Sequence, residues 1–256
     1  MYDYHLHSNY SDGDFLRAMV AAAASAGLSG VGVADHCMVV STDWARESRR
    51  ELGFNLDTTY ERRREAIESL REEFDLRVFD AAEVDYEPGH EAEIRAFLAD
   101  ADFDYAVGSV HALDGANVHA TGHFEGMSES RRRELVERYF EKLESLVASE
   151  LFEIAAHADL IERNPALRGF ATREQYERVA DAFASSRTVP EVNAGRVRSE
   201  YGRFHPTTEF FEVLRERGVE FTLGSDAHAP DEVGPLADEL RAFVADSGLD
   251  PVTLAV

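Results

Sequence analysis

The sequence predicts an α/β fold: a parallel β/α barrel of seven strand–helix units, formed by a single domain over residues 1–256. Three observations predict it. Short apolar, β-branched runs alternate with longer amphipathic stretches. No Pro-, Gly- or Ser-rich linker divides them. Each apolar run also ends in His, Asp, Glu or Asn, at the strand ends where parallel barrels carry their chemistry. A doubly wound parallel sheet is the alternative architecture.

The elements follow in order. Tyr2–Leu6 is the first strand, and His5 and His7 close it. Phe15–Ala26 places Leu16, Met19, Val20 and Ala23 on one helical face. Gly30–Ala34 is the second strand, followed by Asp35 and His36. The stretch 44–57, which holds Trp44, lacks periodicity and is expected as a mobile loop over the site. Arg77–Ala82 leads to Glu83, and His90 after Pro88-Gly89 is expected at a helix start. Tyr105–Val110 leads to His111. His119 and His123 sit among Gly115, Gly122 and Gly126 and are expected in a loop. Arg132–Ala148 is helical through Leu135, Tyr139, Leu143, Leu146 and Val147. The triplet Arg131–Arg133, between Glu129 and Glu134, is a solvated face of it. Phe152–Ala156 leads to His157, and Val189–Val192 to Asn193. Phe210, Phe211 and Leu214 mark a helix. Glu220–Leu223 leads to Asp226 and His228, and Leu236, Leu240, Phe243 and Val244 mark the last helix.

Charge narrows the function classes. Fifty acidic against 26 basic residues give −24, and the bases are 25 arginines with Lys142 alone. Such self-repulsion favours a salt-adapted, halophilic setting; at ~1 M salt the Debye length falls to ~3 Å. No basic stripe exists to release counterions from a duplex, so duplex nucleic acid is not an expected partner. The apolar stretches fall far short of the ~18 residues of a membrane span, so no membrane partner is expected. The first residues carry no basic segment ahead of an apolar run, and no secretory leader is expected. With one cysteine, Cys37, no intrachain disulfide forms, which suits a cytoplasmic setting. Cys37 itself reads as a small buried apolar group. The apolar helix stripes serve the barrel core and specify no oligomer.

The donors form a constellation. His5 and His7 project from one face of an extended segment, and Asp226-x-His228 repeats that spacing. Asp12 lies in the turn Ser11-Asp12-Gly13, where its other role is a helix cap. With His36, Glu83, His111 and His157 the set mixes nitrogen and oxygen donors. It suits Zn, Mn or Fe better than Mg or Ca. Nine donors exceed the roughly four that one tetrahedral ion needs. Two or three divalent transition-metal ions sharing bridging carboxylates fit better, a device suited to phosphoryl chemistry. Asp35 and Asp159 read as carboxylates that orient an imidazole, or as turn and cap residues.

These pieces, taken in order, resemble the motifs of the PHP (polymerase and histidinol phosphatase) superfamily. They are His5-x-His7 with Ser11-Asp12-Gly13, Ala34-Asp35-His36, Glu83, Gly108-Ser109-Val110-His111, Ala156-His157-Ala158-Asp159-Leu160 and Gly224-Ser225-Asp226-Ala227-His228. The resemblance implies a distorted seven-stranded (β/α)7 TIM-like barrel, the PHP fold, and a trinuclear metal site with His5, His7, Asp12, His36, Glu83, His111, His157, Asp226 and His228 as ligands. Within the family, Glu191–Arg198 looks like the Asn-Thr-x-Gly-Leu-Arg stretch of stand-alone histidinol-phosphatases. Phe204-His205-Pro206 resembles their Tyr-Pro-Ser, and Ala227–Gly234 resembles their tail. Glycine and arginine are reordered at 195–196, and His205 replaces an aromatic.

The implied function is metal-dependent hydrolysis of a small phosphorylated metabolite, L-histidinol phosphate, in histidine biosynthesis. A metal-bridging hydroxide would attack in line. Arg198 would clamp a phosphoryl oxygen, with Arg196, Arg163 and Arg203 as further arginines. Asn193 and His205 would contact substrate, and Asp226 or His228 would supply the leaving-group proton. The alternatives are a PHP-family nucleotide or oligonucleotide phosphoesterase and a non-catalytic metal-binding module, which would have lost ligands. An amidohydrolase would need a lysine ligand, and the sole Lys142 sits in mid-helix.

Overall fold

A computed structural model describes residues 1–256. Its strands are β1 (Tyr2–Leu6), β2 (Gly30–Cys37), β3 (Arg77–Asp85), β4 (Tyr105–Ser109), β5 (Ala112–Leu113), β6 (Ala116–Asn117), β7 (Ile154–Ala155), β8 (Val189–Asn193) and β9 (Thr222–Gly224). Seven of them form one sheet in the order β1-β2-β3-β4-β7-β8-β9, parallel throughout. The short hairpin β5–β6 stands apart as an antiparallel pair.

The sheet curls until its edges meet. Leu6 bridges Ala227 in parallel fashion. The His7 amide donates to Ala227 O at 2.9 Å, and the Asp226 amide donates to His5 O. The strand order follows the chain and returns to its start, which distinguishes the barrel from the doubly wound alternative.

Side-chain alternation explains where the chemistry lies. Phe79, Ala81 and Glu83 share one face of β3. The first two join Tyr4, Ala34, Tyr105, Val107, Ile154 and Ala156 in an apolar layer inside the barrel. The next inward positions, His36, Glu83 and His111, lie above that layer at the C-terminal end. A register irregularity between Asp3 and Leu6 lets β1 contribute Tyr4 to the layer and His5 to the site. Gly32 is required here, because a Cβ would lie 1.6 Å from the Tyr105 hydroxyl oxygen.

Outside the barrel lie α1 (Leu16–Ser25), α2 (Asp43–Leu52), α3 (Tyr60–Glu73), α4 (Glu91–Ala101), α5 (Thr121–Glu125), α6 (Glu129–Ala148), α7 (Arg173–Ala184), α8 (Thr208–Glu216) and α9 (Pro230–Ser247). The last helix packs on the first, so the outer layer closes as the sheet does. The larger apolar core fills the space between sheet and helices.

The expected loop at 44–57 is instead α2 followed by a 3-10 turn, Leu56–Thr58. Thr42 caps α2 by accepting from the Ala45 amide at 3.2 Å, and Gly53 ends it at φ 73°. Only Ala45 of α2 is buried, which leaves no apolar stripe to read. Helix α3 also carries few apolar residues, and α4 buries only Ile94 and Ala101. Thr172 and Gln175 start α7 with a capping box. His90 immediately precedes α4, as expected. His119 lies in a loop, while His123 falls in the one-turn helix α5.

Candidate active site

All nine expected donors meet at the C-terminal mouth of the barrel. Glu83 lies at their centre. Its Oε2 is 3.6 Å from His5 Nε2, 3.7 Å from His7 Nε2 and 2.7 Å from His36 Nδ1. Its Oε1 is 3.0 Å from His157 Nε2 and 3.4 Å from His111 Nε2. Asp12 Oδ1 faces His228 Nε2 at 3.4 Å, His36 Nε2 at 3.7 Å and His7 Nδ1 at 3.8 Å. Asp226 Oδ1 faces His7 Nε2 at 3.3 Å. His157 and Asp226 adopt positive φ, 27° and 53°, a costly geometry that turns both side chains inward as the strands end.

The imidazoles are held from behind. His5 Nδ1 donates to Glu191, 3.0 Å away, and His111 Nδ1 donates to Asp85 Oδ1 at 2.9 Å. His228 Nδ1 donates to the Asp226 carbonyl at 2.8 Å. When such a ring is neutral, its proton sits on Nδ1 and its Nε2 lone pair points into the cluster. Glu191 also accepts from the His157 amide and from Asn193 Nδ2.

The residues fit metal ions. His5 Nε2 and His7 Nε2 approach to 3.1 Å. Glu83 Oε2 is fully buried, yet no nitrogen near it meets it in hydrogen-bonding geometry. Lone pairs facing lone pairs in a buried space call for a cation between them. Three donor groups lie close enough to hold one: His7, Asp12, His36 and His228; His5, His7 and Glu83; and His36, Glu83 and His111. His157 and Asp226 flank these groups. Burial alone would protonate the carboxylates. The charges of His111, His36 and His5 overcome it at Glu83 and hold its pKa well below the ordinary value. At Asp226, the hydrogen bond with His7 and the charges of His5 and Arg163 do the same. That direction favours the ionised carboxylate at Asp226 and counts against it as the expected proton donor.

A cavity of about 180 Å³ opens over the cluster. One wall is apolar, with Met38, Trp44, Leu52 and Phe54 from β2's end and the α2 segment. The other carries Arg163, Arg196 and His119. Of the expected arginines, Arg163 is the best placed: it donates to Asp226 Oδ2 at 3.2 Å. Arg198 turns outward and pairs with Glu239 of α9 at 3.1 Å, with its side chain 59% exposed. The turn after Asn193 carries it past the rim, so it does not line the cavity. Arg203 borders a different cleft, between α7, α8 and α9. Asn193 and His205 are fully buried behind Arg163 and hold that side chain rather than a substrate.

Several contributors are new relative to the sequence reading. Asp85 and Glu191 orient ligands, and only their place on strands hinted at it. Asp35 does not touch an imidazole. It accepts from the Ser8 amide and hydroxyl and the Ser11 hydroxyl at 2.6–2.7 Å, and from the fully buried Arg63 of α3 at 2.8 Å. Arg63 also binds Asp80 and the Ala81 carbonyl. This network fixes the loop that presents Asp12. His119 reaches the cavity rim from the β6–α5 loop, where it is exposed, and the nearby charge of Arg163 favours its neutral form. Cys37 is buried and free, as expected. No helix is long and apolar enough to cross a membrane.

Comparison with known proteins agrees with this geometry. A chain of Deinococcus radiodurans described as probable histidinol-phosphatase is 29% identical over 222 residues, covering 85% of this chain and 82% of that one. A chain of Clostridium acetobutylicum with the same description is 27% identical over 159 residues, covering 59% and 60%. The structure of histidinol phosphate phosphatase from Lactococcus lactis, complexed with zinc, L-histidinol and phosphate, shares the fold. Its TM-score is 0.76 at 19% identity, covering 98% of this chain and 95% of that one. The PHP domain model matches residues 3–195, three quarters of the sequence. With that match and its donors gathered at the barrel mouth, the chain belongs to the PHP domain family.

Proposed function

We propose that this protein hydrolyses L-histidinol phosphate to L-histidinol and phosphate with two or three divalent metal ions, of zinc, manganese or iron. One observation carries the reading. A nine-donor cluster centred on Glu83 shares its cavity with the guanidinium of Arg163. The Deinococcus and Clostridium relatives support the substrate.

His5, His7, Asp12, His36, Glu83, His111, His157, Asp226 and His228 would hold the ions. Bound there, the ions supply positive charge against the phosphoryl oxygens and lower the pKa of an attacking water. The chain does the rest. The Arg163 Nη1, which has no partner in the protein, takes a phosphoryl oxygen. Arg196 carries no carboxylate partner and adds a second positive edge at the rim. Neutral His119 offers a hydrogen bond on the same side. The apolar wall with Trp44 and Phe54 covers the imidazole face of the substrate and excludes water. The local arginines matter because a chain of −24 otherwise repels an anionic substrate.

The test is phosphate release from L-histidinol phosphate in high salt, with and without added Mn²⁺ or Zn²⁺, beside Asp226→Asn. Metal-dependent release that the variant loses is the expected result. Cleavage of a nucleotide but not of histidinol phosphate would overturn the substrate and keep the chemistry. Bound metal with no ester cleaved would leave a metal-binding module.

A further inference from the structure

Arg163 is held by other groups. It closes the 3-10 turn Leu160–Arg163, and its side chain is only 8% exposed. Its Nε donates to His205 Nε2 at 2.9 Å. One terminal nitrogen donates to Asn193 Oδ1 and Asp226 Oδ2, both at 3.2 Å. The other terminal nitrogen is left for the cavity.

A guanidinium Nε–H has no lone pair to offer, so His205 Nε2 must be the acceptor. The imidazole proton therefore sits on Nδ1, 2.5 Å from Asp159 Oδ1. The second Asp159 oxygen accepts from the Thr207 amide at 2.7 Å. His205 and Asp159 are both fully buried. Tyr201 stacks on the His205 ring at 5.0 Å and 11°. Burial favours the neutral imidazole more than Asp159 favours its cation.

We propose that His205 and Asp159 are positioning residues that aim Arg163 at the phosphoryl group. The proposal rests on the reading of Arg163 as the phosphate clamp. Asp226 lies within reach of the same guanidinium and competes for it. A free arginine would fold onto that carboxylate as a two-pronged pair. That pairing would use up the donors meant for substrate and draw Asp226 out of the donor cluster. Tying Nε to a neutral acceptor prevents the rotation. Asp159 keeps the acceptor in the required tautomer, as second-layer carboxylates do for catalytic imidazoles.

The experiment compares His205→Phe, His205→Gln, Arg163→Met and the double variant H205F/R163M on the metal-loaded protein. Phenylalanine keeps the stack on Tyr201 and loses the acceptor. Glutamine keeps an acceptor and a donor. The readouts are inorganic phosphate binding by calorimetry and KM and kcat on histidinol phosphate. H205F is expected to weaken phosphate binding and raise KM about tenfold, the loss of one charge-assisted contact, with kcat changed less. H205Q recovers most of the affinity, and H205F adds nothing on the R163M background. If R163M weakens phosphate binding and H205F does not, the positioning role is overturned and the clamp stands. If R163M itself leaves phosphate binding unchanged, the clamp reading falls and the positioning role with it. Should H205F not fold, Asp159→Asn replaces it, with the same loss of phosphate affinity expected and the same absence of loss overturning the role.

Discussion

At the residue scale, the donors and the groups behind them divide the work. The ligand side chains supply lone pairs, and Glu191, Asp85 and the Asp226 carbonyl decide which nitrogen presents one. Glu191 has three tasks at once, holding His5, the His157 amide and Asn193. Glu191→Gln keeps the shape but leaves the His5 proton unfixed. Metal affinity should fall about 10–100-fold, as measured by competition with a chelator. Unchanged affinity would show that His5 orients without help. Sequence reasoning found every donor that the structure gathers at the barrel mouth, because a His, Asp or Glu at a strand end is visible as a letter. It did not find Glu191, because a glutamate within a strand run reads as an ordinary polar position.

At the scale of elements, α3 matters more than its composition suggests. Its few apolar residues made it unreadable by period. Yet Arg63 is fully buried and ties α3 to Asp35 at 2.8 Å and Asp80 at 2.7 Å. Through Asp35 it fixes Ser8 and Ser11, and so the loop that carries Asp12. Breaking a buried ion pair strands the remaining charges. Arg63→Met should cost about 3–5 kcal/mol of stability, read from the denaturant midpoint. A loss well under that, with metal binding intact, would mean that the two aspartates find other partners. Helix α2 makes the same point about legibility. Its caps, Thr42 and Gly53, are present in the sequence. Without an apolar stripe between them, they are too weak to outweigh a loop reading, although the segment's place over the site was legible.

At the scale of the whole molecule, the charge balance sets the conditions of stability. Fifty acids face 26 bases, so many acids have no cation to pair with. Exposed ion pairs are each worth about 0–1 kcal/mol, and salt weakens them. The unpaired excess repels over longer distances and gains more from screening. Between about 0.1 M and about 1 M salt the Debye length shrinks from ~10 Å to ~3 Å. The thermal midpoint is therefore expected to rise across that range of KCl. A midpoint that is flat or falls would show that the acidic surface needs no salt. The arginines follow a related economy, since about half pair with surface acids while Arg163 and Arg196 line the cavity.

The sequence by itself determined the strands, their parallel sense and the nine donors. These depend on local rules: side chains alternate along a strand, and a residue just past a strand end lies at the barrel mouth. Only the tertiary structure decided which arginine meets the substrate. Arg198 and Arg163 lie on neighbouring turns past the strand ends, and both have long, flexible side chains. Glu239 of α9 draws Arg198 outward, while His205, 42 residues away in the chain, holds Arg163 inward. The difference comes from partners that are distant in sequence, so no local pattern of residues could announce it.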